Sequence, residues 1–345
     1  MRRLLIATAL SLAATACSSD RNDPAAPPPT LDTARVALTD LGARMYQGFA
    51  GGLYPGGSNQ VPADHASHGR VAATQVVPLA ADGQPSGTGK IVLLSVGMSN
   101  TTMEFCNGAY PRCGTASFIG QARLDPQVDT TRLVLVDGAR GGQTPPSWLP
   151  ASAAQYDSAR ARLTAAHVTE SQVQVAWIKQ ADAGPKISLP NPGADAFVLE
   201  KELGDLVRAL KVRYPNLRQV FLSSRIYAGY ASTQLNPEPY AYETGFAVKW
   251  LIEAQIQQNL PGGLLDARAG DLKYDAQPWL AWGPYLWAAG AKARSDGLTW
   301  LPSEYAADGT HPNGTADLKV GRMLLDFFKT SPFTSCWFLA GQRCT

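Results

Sequence analysis

Four apolar runs in the chain have the length and composition of buried β-strands. Each is rich in β-branched, leucine or aromatic residues and is followed by polar or turn-forming residues. The runs cover residues 90–96 (KIVLLSV), 132–137 (RLVLVD), 172–178 (QVQVAWI) and 219–223 (QVFLS). Helical periodicity occurs in the segments between and after them, at residues 151–166, 194–214, 240–258 and 316–329. The sequence therefore predicts an alternation of strands and helices.

This alternation predicts a parallel sheet, because parallel strands must be joined by crossover connections. We expect an α/β fold in which a mainly parallel central sheet lies between two layers of helices, a three-layer α/β/α sandwich. Ligands of such sheets bind beyond the carboxyl ends of the strands. We also expect a helix over residues 31–45 and a loop over residues 52–69, and we assign residues 31–345 to a single domain.

Residues 1–16 have the pattern of a lipoprotein-type signal peptide. Two arginines precede a short apolar run, which is too short to span a membrane. The small residues that end at Cys17 are similar to a bacterial lipobox, in which the cysteine becomes the lipidated first residue. Residues 17–30 are small, polar and proline-rich, a composition typical of a tether. We therefore expect an exported lipoprotein, anchored on the periplasmic side or the cell surface, with ordinary secretion as the alternative.

Composition and charge narrow the function classes. Of the 345 residues, 45% are hydrophobic and 17% are charged, which excludes disordered and collagen-like chains. Lysine and arginine total 30 against 28 aspartate and glutamate, without a long basic run, so we expect no nucleic-acid partner. Loss of residues 1–16 removes two arginines and leaves a neutral remainder. We therefore expect membrane contact only through the lipid anchor.

Four further cysteines form two local pairs, Cys106 with Cys113 and Cys336 with Cys344. In an exported protein they predict disulfides, and of the three possible connectivities we favour the local one. Buried free thiols are the alternative. Zinc is disfavoured because neither pair has Cys-x-x-Cys spacing or a histidine nearby.

A serine follows the carboxyl end of the first long strand, in the segment Gly97-Met98-Ser99-Asn100. A helix that begins there would direct its backbone N–H groups at an anion forming beside the hydroxyl. Ser99 is therefore a candidate nucleophile, and a helix N-cap is the alternative.

Asp308 and His311 lie three residues apart, ahead of the last predicted helix. A carboxylate on the same turn can orient the imidazole and fix its tautomer, while the other ring nitrogen takes a proton from a serine. We therefore expect a Ser–His–Asp site made by Ser99, His311 and Asp308, with no metal and no cofactor. An exposed aspartate beside a helix-capping histidine is the alternative.

At these residues the chain resembles the SGNH hydrolases, also called GDSL-type esterases and lipases. Asp308 to His311 matches the last block of the family, Asp-x-x-His. Gly97 to Asn100 lacks the aspartate of Gly-Asp-Ser and is similar to the Gly-x-Ser-Asn variant of carbohydrate esterases such as the sialate O-acetylesterases. The resemblance implies a flavodoxin-like fold and an acetyl ester as substrate. It makes Ser99 the nucleophile, His311 the base and Asp308 its orienter, and we assign Asn100 to substrate binding.

The same resemblance implies an oxyanion hole made by Gly142, Gln180 and the backbone N–H of Ser99. Gly142 follows the second strand, and Gly141 is the alternative. Glycine suits this place because its bare backbone lets an N–H approach the substrate oxygen closely. The third family block usually carries an asparagine, which this chain lacks, and Gln180 has the same amide donor. An ordinary loop at Gln180 is the alternative.

Aromatic residues crowd together ahead of the Asp-x-x-His turn. Trp279, Trp282 and Trp287 suit stacking on sugar rings, so we assign them to substrate binding, with a packed aromatic cap as the alternative. His65 and His68 have a spacing that can bind metal, but they fall in a predicted loop without a second acidic cluster, so we expect no metal there.

We therefore expect an exported serine esterase that removes acetyl groups from small-molecule or polysaccharide esters. A lipid esterase is the enzyme alternative, although the sequence has no long amphipathic lid. A carbohydrate-binding lipoprotein that has lost catalysis is the alternative from a different class.

Overall fold

A parallel sheet forms the centre of the fold. The computed structural model describes residues 31–32 and 35–345, so the predicted signal peptide, Cys17 and the tether lie outside the described residues. The described strands are β1 (Leu31–Asp32), β2 (Met45–Tyr46), β3 (Phe49–Ala50), β4 (Ile91–Gly97), β5 (Leu133–Asp137), β6 (Val173–Lys179), β7 (Gln219–Leu222) and β8 (Trp279–Trp282). The central sheet has the order β5-β4-β6-β7-β8 with every pair parallel, and β1, β2 and β3 make a small separate sheet.

Helices cover both faces of the central sheet. The described α-helices are α1 (Leu38–Leu41), α2 (Ala63–Thr74), α3 (Ser99–Phe105), α4 (Phe118–Leu124), α5 (Gln155–Ala165), α6 (Asp195–Arg213), α7 (Tyr240–Gln258), α8 (Gly314–Thr330) and α9 (Ser335–Phe338). The apolar residues of α5, α6 and α7 pack in one core cluster, and those of α2, α3, α4, α8 and α9 pack in the other. None of these helices is long and apolar enough to cross a membrane.

Strand β4 is buried on both faces of the sheet, which explains why its sequence is a nearly continuous run of apolar residues. Val92 and Leu94 pack into the core on one face, whereas Ile91 and Leu93 pack into the core on the other. Successive side chains of a strand point to opposite faces, so a strand buried on both sides needs apolar residues at nearly every position. The predicted three-layer α/β/α architecture is confirmed.

The predicted helix over residues 31–45 is wrong. Only α1 is helical there, and the flanking residues form β1 and β2, which pair in parallel. Gly42 ends α1 with a positive φ of 58°, a conformation that glycine adopts without the steric cost paid by other residues. The chain then turns back into the small sheet.

The predicted loop over residues 52–69 is wrong at its C-terminal end, where α2 begins. Gly69 lies within α2, and a Cβ there would stand 2.4 Å from the Trp279 ring. The glycine is therefore required by close packing of α2 on β8 and does not mark a loop. Strand β8 itself was not predicted, because its four residues read as part of an aromatic cluster.

Both predicted disulfides are present with the local connectivity. Cys106 is bonded to Cys113, directly after α3, and Cys336 is bonded to Cys344 near the C-terminus.

Candidate active site

Ser99 is the first residue of α3 and lies two residues beyond Gly97, the last residue of β4. The connection after β4 packs on one face of the sheet and α5, after β5, packs on the other, so the strand order reverses beside β4. Open α/β sheets bind ligands at such a reversal. Gly97 lets the end of β4 lie close to α3 and to the end of β6. A Cβ at this position would stand 2.2 Å from Thr101 Oγ1 and 2.4 Å from the Lys179 carbonyl oxygen.

The loop between β8 and α8 brings Asp308 and His311 to Ser99. The His311 Nε2 atom lies 2.8 Å from Ser99 Oγ, and its Nδ1 atom lies 2.6 Å from Asp308 Oδ2. The Asn100 side chain donates a hydrogen bond of 3.0 Å to the Thr310 carbonyl, which ties this turn to α3. The three residues predicted for the Ser–His–Asp site are therefore in hydrogen-bond contact, although 212 positions separate Ser99 from His311.

Asp308 is held in its ionised form. Partial burial opposes ionisation, but the His311 backbone N–H and ring and the Thr310 backbone N–H donate hydrogen bonds to the carboxylate and lower the pKa of Asp308 to about 2. In the neutral imidazole, an ionised carboxylate favours the tautomer with its proton on Nδ1, so that Nε2 can accept a hydrogen bond from the serine hydroxyl. The arrangement can therefore accept the proton of Ser99.

Ser99 and His311 line a cavity of about 200 Å³. Ser99, Asn100, Gly142 and His311 line it, as does Arg225, which the sequence did not single out. Its remaining lining is mainly small or apolar: Met98, Thr144, Ala181, Ala183, Leu235, Asn236 and Thr310. The cavity is below the usual volume of drug-sized ligand sites, which fits a small group at the reacting centre.

Of the three residues predicted for the oxyanion hole, Ser99 and Gly142 line this cavity and Gln180 does not. Gly142 has a φ of 75° that favours glycine. Gln180 is buried, and its Nε2 donates a hydrogen bond of 3.2 Å to the Gln143 carbonyl. Gln180 thus ties the end of β6 to the loop that carries Gly142. Gly141 also lies near, since a Cβ there would be 3.7 Å from Ser99 Cβ.

Asp137, at the end of β5, holds together the segments that carry the site. Its carboxylate accepts hydrogen bonds from Ser95 and Thr102 and an ion-paired hydrogen bond of 3.0 Å from Arg162. Burial raises the pKa of Asp137 to about 6, against the opposing effects of Arg162 and the hydroxyl donors. Because Thr102 belongs to α3, this carboxylate connects the helix of Ser99 to the loop of Gly142.

A buried ion pair connects α3 to the end of β6. The Lys179 ammonium contacts the Glu104 carboxylate, and both side chains are fully buried. Burial lowers the pKa of Lys179 to about 8 and raises the pKa of Glu104, while each charge favours the ionised form of the other. Glu104 lies five residues beyond Ser99 on α3, and Lys179 is the last residue of β6.

Lys179→Met is expected to lower the free energy of unfolding by about 3–5 kcal/mol, because it leaves the Glu104 carboxylate buried without its cation. Denaturant unfolding followed by circular dichroism measures the loss. The control is the double variant Lys179→Met/Glu104→Gln, which we expect to recover most of the stability. A single variant as stable as the wild type would contradict a structural role for the pair.

The predicted role of the tryptophans in substrate binding is not supported by their position. Trp279, Trp282 and Trp287 are at most 4% exposed and lie in the two cores. Their indole N–H groups are used internally, by the carbonyls of His65 and Leu53 and by the Glu238 carboxylate respectively. Packing in the cores therefore hides the ring faces that a sugar would need, and the alternative of a packed aromatic cluster describes these tryptophans.

His65 and His68 lie on α2, away from the site. His65 is buried between the Tyr274 hydroxyl, at 2.6 Å, and the Leu280 carbonyl, at 2.7 Å. Burial lowers the pKa of His65 to about 4. His68 stacks on the Tyr274 ring. No cluster of metal-ligating side chains occurs among the described residues.

Sequence reasoning missed Arg225 and Asn236 in the cavity. Arg225 follows β7 by three residues, and Asn236 lies in the long connection that leads to α7. Neither belongs to a motif. The position of Arg225 just past a strand end was the one signal that could have found it.

Comparison with known proteins gives only distant similarities. No protein-family model matches the chain, and no significant match was found among curated proteins. Solved structures with similarity include a GDSL-like lipase from Parabacteroides merdae, at 12% identity over 72% of this chain and 97% of that chain, with a TM-score of 0.38. An SGNH hydrolase from Slackia heliotrinireducens has 15% identity over 69% and 99%, with a TM-score of 0.32.

A third structure is a carbohydrate esterase family 2 enzyme with a carbohydrate-binding domain from Corynascus thermopiles (Myceliophthora fergusii). It has 11% identity over 70% of this chain and 66% of that chain, with a TM-score of 0.36. The SGNH and GDSL hydrolases that the sequence motifs resemble are thus also found among the similar structures. At these identities and scores the chemistry of the site rests on its own geometry.

Proposed function

We propose that this protein is a serine ester hydrolase. The observation that carries the proposal is the continuous contact from Ser99 Oγ through the His311 ring to Asp308, at 2.8 and 2.6 Å, at the edge of a cavity. These distances are within the reach that proton transfer requires. A binding protein without catalysis would not need this alignment.

In the proposed reaction Ser99 Oγ attacks the ester carbonyl carbon as His311 Nε2 takes its proton. The carbonyl oxygen becomes an oxyanion, which the backbone N–H groups of Ser99 and Gly142 stabilise, joined by the Gln180 amide once it turns from the Gln143 carbonyl. The bond to the alcohol oxygen then breaks, and the alcohol leaves with the proton from His311. A water molecule hydrolyses the acyl-enzyme by the same steps, which release the acid and restore Ser99.

A short acyl group, acetyl in the first instance, fits this site best. The cavity of about 200 Å³ has small walls at Ala181 and Ala183, which suits acetyl better than the long chain of a lipid. The alcohol half is proposed to be a carbohydrate, on the resemblance of Gly97 to Asn100 to carbohydrate esterases. The buried tryptophans give no support to that half.

Ester hydrolysis is tested with the soluble form that begins at Ser18. We expect turnover of p-nitrophenyl acetate that falls along the series acetate, butyrate, octanoate, and release of acetate from acetylated xylan. Highest activity on octanoate would replace the proposed substrate class with lipid esters. No activity on any ester would reject the hydrolase and leave the carbohydrate-binding alternative.

Gln180→Ala is expected to lower kcat by about a hundredfold or more with little change in KM, because an oxyanion donor acts only in the transition state. Steady-state hydrolysis of p-nitrophenyl acetate measures both constants. Near-normal turnover would show that the amide of Gln180 only supports the loop of Gly142. Gln180→Glu is the matched variant, since it keeps the shape of the side chain and replaces the donor by an acceptor.

Export and anchoring are proposed from the N-terminal pattern. Cys17→Ser is expected to move the protein from the membrane fraction to the soluble exported fraction, because the thiol that would carry the lipid is absent. Fractionation with immunoblotting measures the change. Unchanged membrane association of the variant would reject the lipoprotein assignment.

A further inference from the structure

Arg225 lines the same cavity as Ser99 and His311. It lies three residues beyond the end of β7, and hydrogen bonds hold its backbone N–H and its carbonyl. Its N–H donates to Thr244 Oγ1 at 3.0 Å, and its carbonyl accepts from Ser224 Oγ at 3.1 Å. The residue is 1% exposed. A buried arginine side chain is therefore part of the lining of the cavity that Ser99 also lines.

The guanidinium of Arg225 lacks an ion-pair partner among the residues that the structure describes. Its Nε atom is buried without a hydrogen bond. Nearby carboxylates favour its charge from a distance, namely those of Glu104, Glu238 and Asp308. Each of these is engaged elsewhere: Glu104 with Lys179, Glu238 with the Trp287 indole and backbone N–H groups, and Asp308 with His311.

An unpaired buried arginine is unusual, because a buried charge is costly without a partner that compensates for lost hydration. Another buried arginine of this chain follows the rule, since Arg294 pairs with Asp296 at 2.5 Å and donates to two carbonyls. Arg225 differs in that its surroundings include a ligand cavity. The guanidinium fork matches the two oxygens of a carboxylate.

The other residues that line the cavity favour the binding of an anion beside Arg225. Arg225 and His311 are the only lining residues with ionisable side chains, and no acidic residue is among them. Met98, Ala181 and Leu235 supply apolar walls, which strengthen an ion pair by excluding water. The proposed catalytic residues use Asp308 and His311 between themselves and leave Arg225 without a task.

We propose that Arg225 binds a carboxylate of the substrate, so that the preferred esters carry a carboxylate a few bonds from the scissile carbonyl. This inference rests on the proposed ester hydrolysis and narrows its substrate class. The carboxylate can belong to the acid half of the ester, as in a half-ester of a dicarboxylic acid. It can equally belong to the alcohol half, as in an acylated hydroxy acid.

Pairs of esters with equal shape and different charge distinguish these sources. For the alcohol half, 2-acetoxypropanoate is compared with 3-methylbutan-2-yl acetate. For the acid half, monomethyl succinate is compared with methyl 4-methylpentanoate. The measurements use the purified exported protein. In at least one pair we expect kcat/KM to be about tenfold to a hundredfold higher for the ester that carries the carboxylate, because a charged hydrogen-bonded contact contributes this much to binding. The gain should come from a lower KM.

Arg225→Met and Arg225→Lys test the residue, and Arg322→Met is the matched control, since Arg322 is exposed on α8. The measured quantity is the ratio of kcat/KM within each ester pair. We expect Arg225→Met to bring the ratio near one, Arg225→Lys to retain part of it, and Arg322→Met to keep the wild-type ratio. If Arg225→Met does not fold, competitive inhibition of the wild type by lactate against lactamide decides, with tighter inhibition by lactate expected.

The outcomes separate this inference from the proposed function. If no ester of either kind is hydrolysed, the hydrolase itself is rejected. If the wild type hydrolyses the neutral esters and shows no preference in either pair, only the role of Arg225 is rejected. An Arg225→Met enzyme that slows both members of a pair equally would likewise overturn carboxylate binding and assign the residue to the support of the site.

Discussion

Ser99→Ala is expected to lower kcat for p-nitrophenyl acetate by about 10⁵–10⁶-fold, the scale found when the nucleophile of a serine hydrolase is removed. The methyl side chain cannot form the acyl-enzyme. The remaining hydrolysis would come from the oxyanion donors and from binding alone. We also expect no burst of p-nitrophenol, because no covalent intermediate accumulates.

His311→Ala and the double variant Ser99→Ala/His311→Ala extend this test. Residues that act as a unit are not additive, so the three variants should share nearly the same residual rate. Ser303→Ala is the control, since Ser303 is an exposed serine outside the cavity. Circular dichroism and thermal unfolding establish that each variant is folded. A folded Ser99→Ala protein with wild-type turnover would show that another group is the nucleophile.

Asp308→Asn is expected to lower kcat by about 10⁴-fold, the effect known for an orienting aspartate. The amide can donate to His311 Nδ1, which would place the proton on Nε2, where it faces Ser99 and blocks proton transfer. Because hydrogen bonds hold the pKa of Asp308 near 2, the wild-type carboxylate is ionised across the neutral range. Titration of Asp308 itself should therefore add no pH dependence to the wild-type kcat between pH 6 and pH 9.

Asp308→Glu is the matched control, since it keeps the charge and displaces the carboxylate by one methylene. We expect it to retain more activity than Asp308→Asn. The rates are measured with p-nitrophenyl acetate at saturating concentration. Equal activity of Asp308→Asn and the wild type at neutral pH would mean that His311 is oriented by other contacts.

The central strands and the main helices could be predicted because burial fixes their residue types. Strand β4 needs apolar side chains on both faces, and α7 was predicted with the bounds that the structure has, Tyr240–Gln258. Ser99, Asp308 and His311 could be found because the strand end and the Asp-x-x-His turn are local in sequence. The contact between these residues depends on the fold, but each of the two sequence motifs can be recognised without the other.

Other features depend on contacts between distant segments. The indole N–H of Trp287 bonds to Glu238, 49 positions away, and that of Trp282 bonds to the Leu53 carbonyl, 229 positions away. Local reading therefore could not separate a sugar platform from a packed core. The proposed role of Arg225 is harder still to predict from sequence, because it depends on the absence of an ion-pair partner for the guanidinium among the described residues.

The two halves of the proposed reacting pair come from opposite ends of the folded chain. Ser99 follows the first strand of the central sheet, whereas His311 precedes α8 near the C-terminus, and the Asn100 amide joins these ends through the Thr310 carbonyl. Fragments that carry one end alone contain half of the proton relay and no cavity. Proteolysis that separates the ends should therefore abolish activity outright and yield no partially active product.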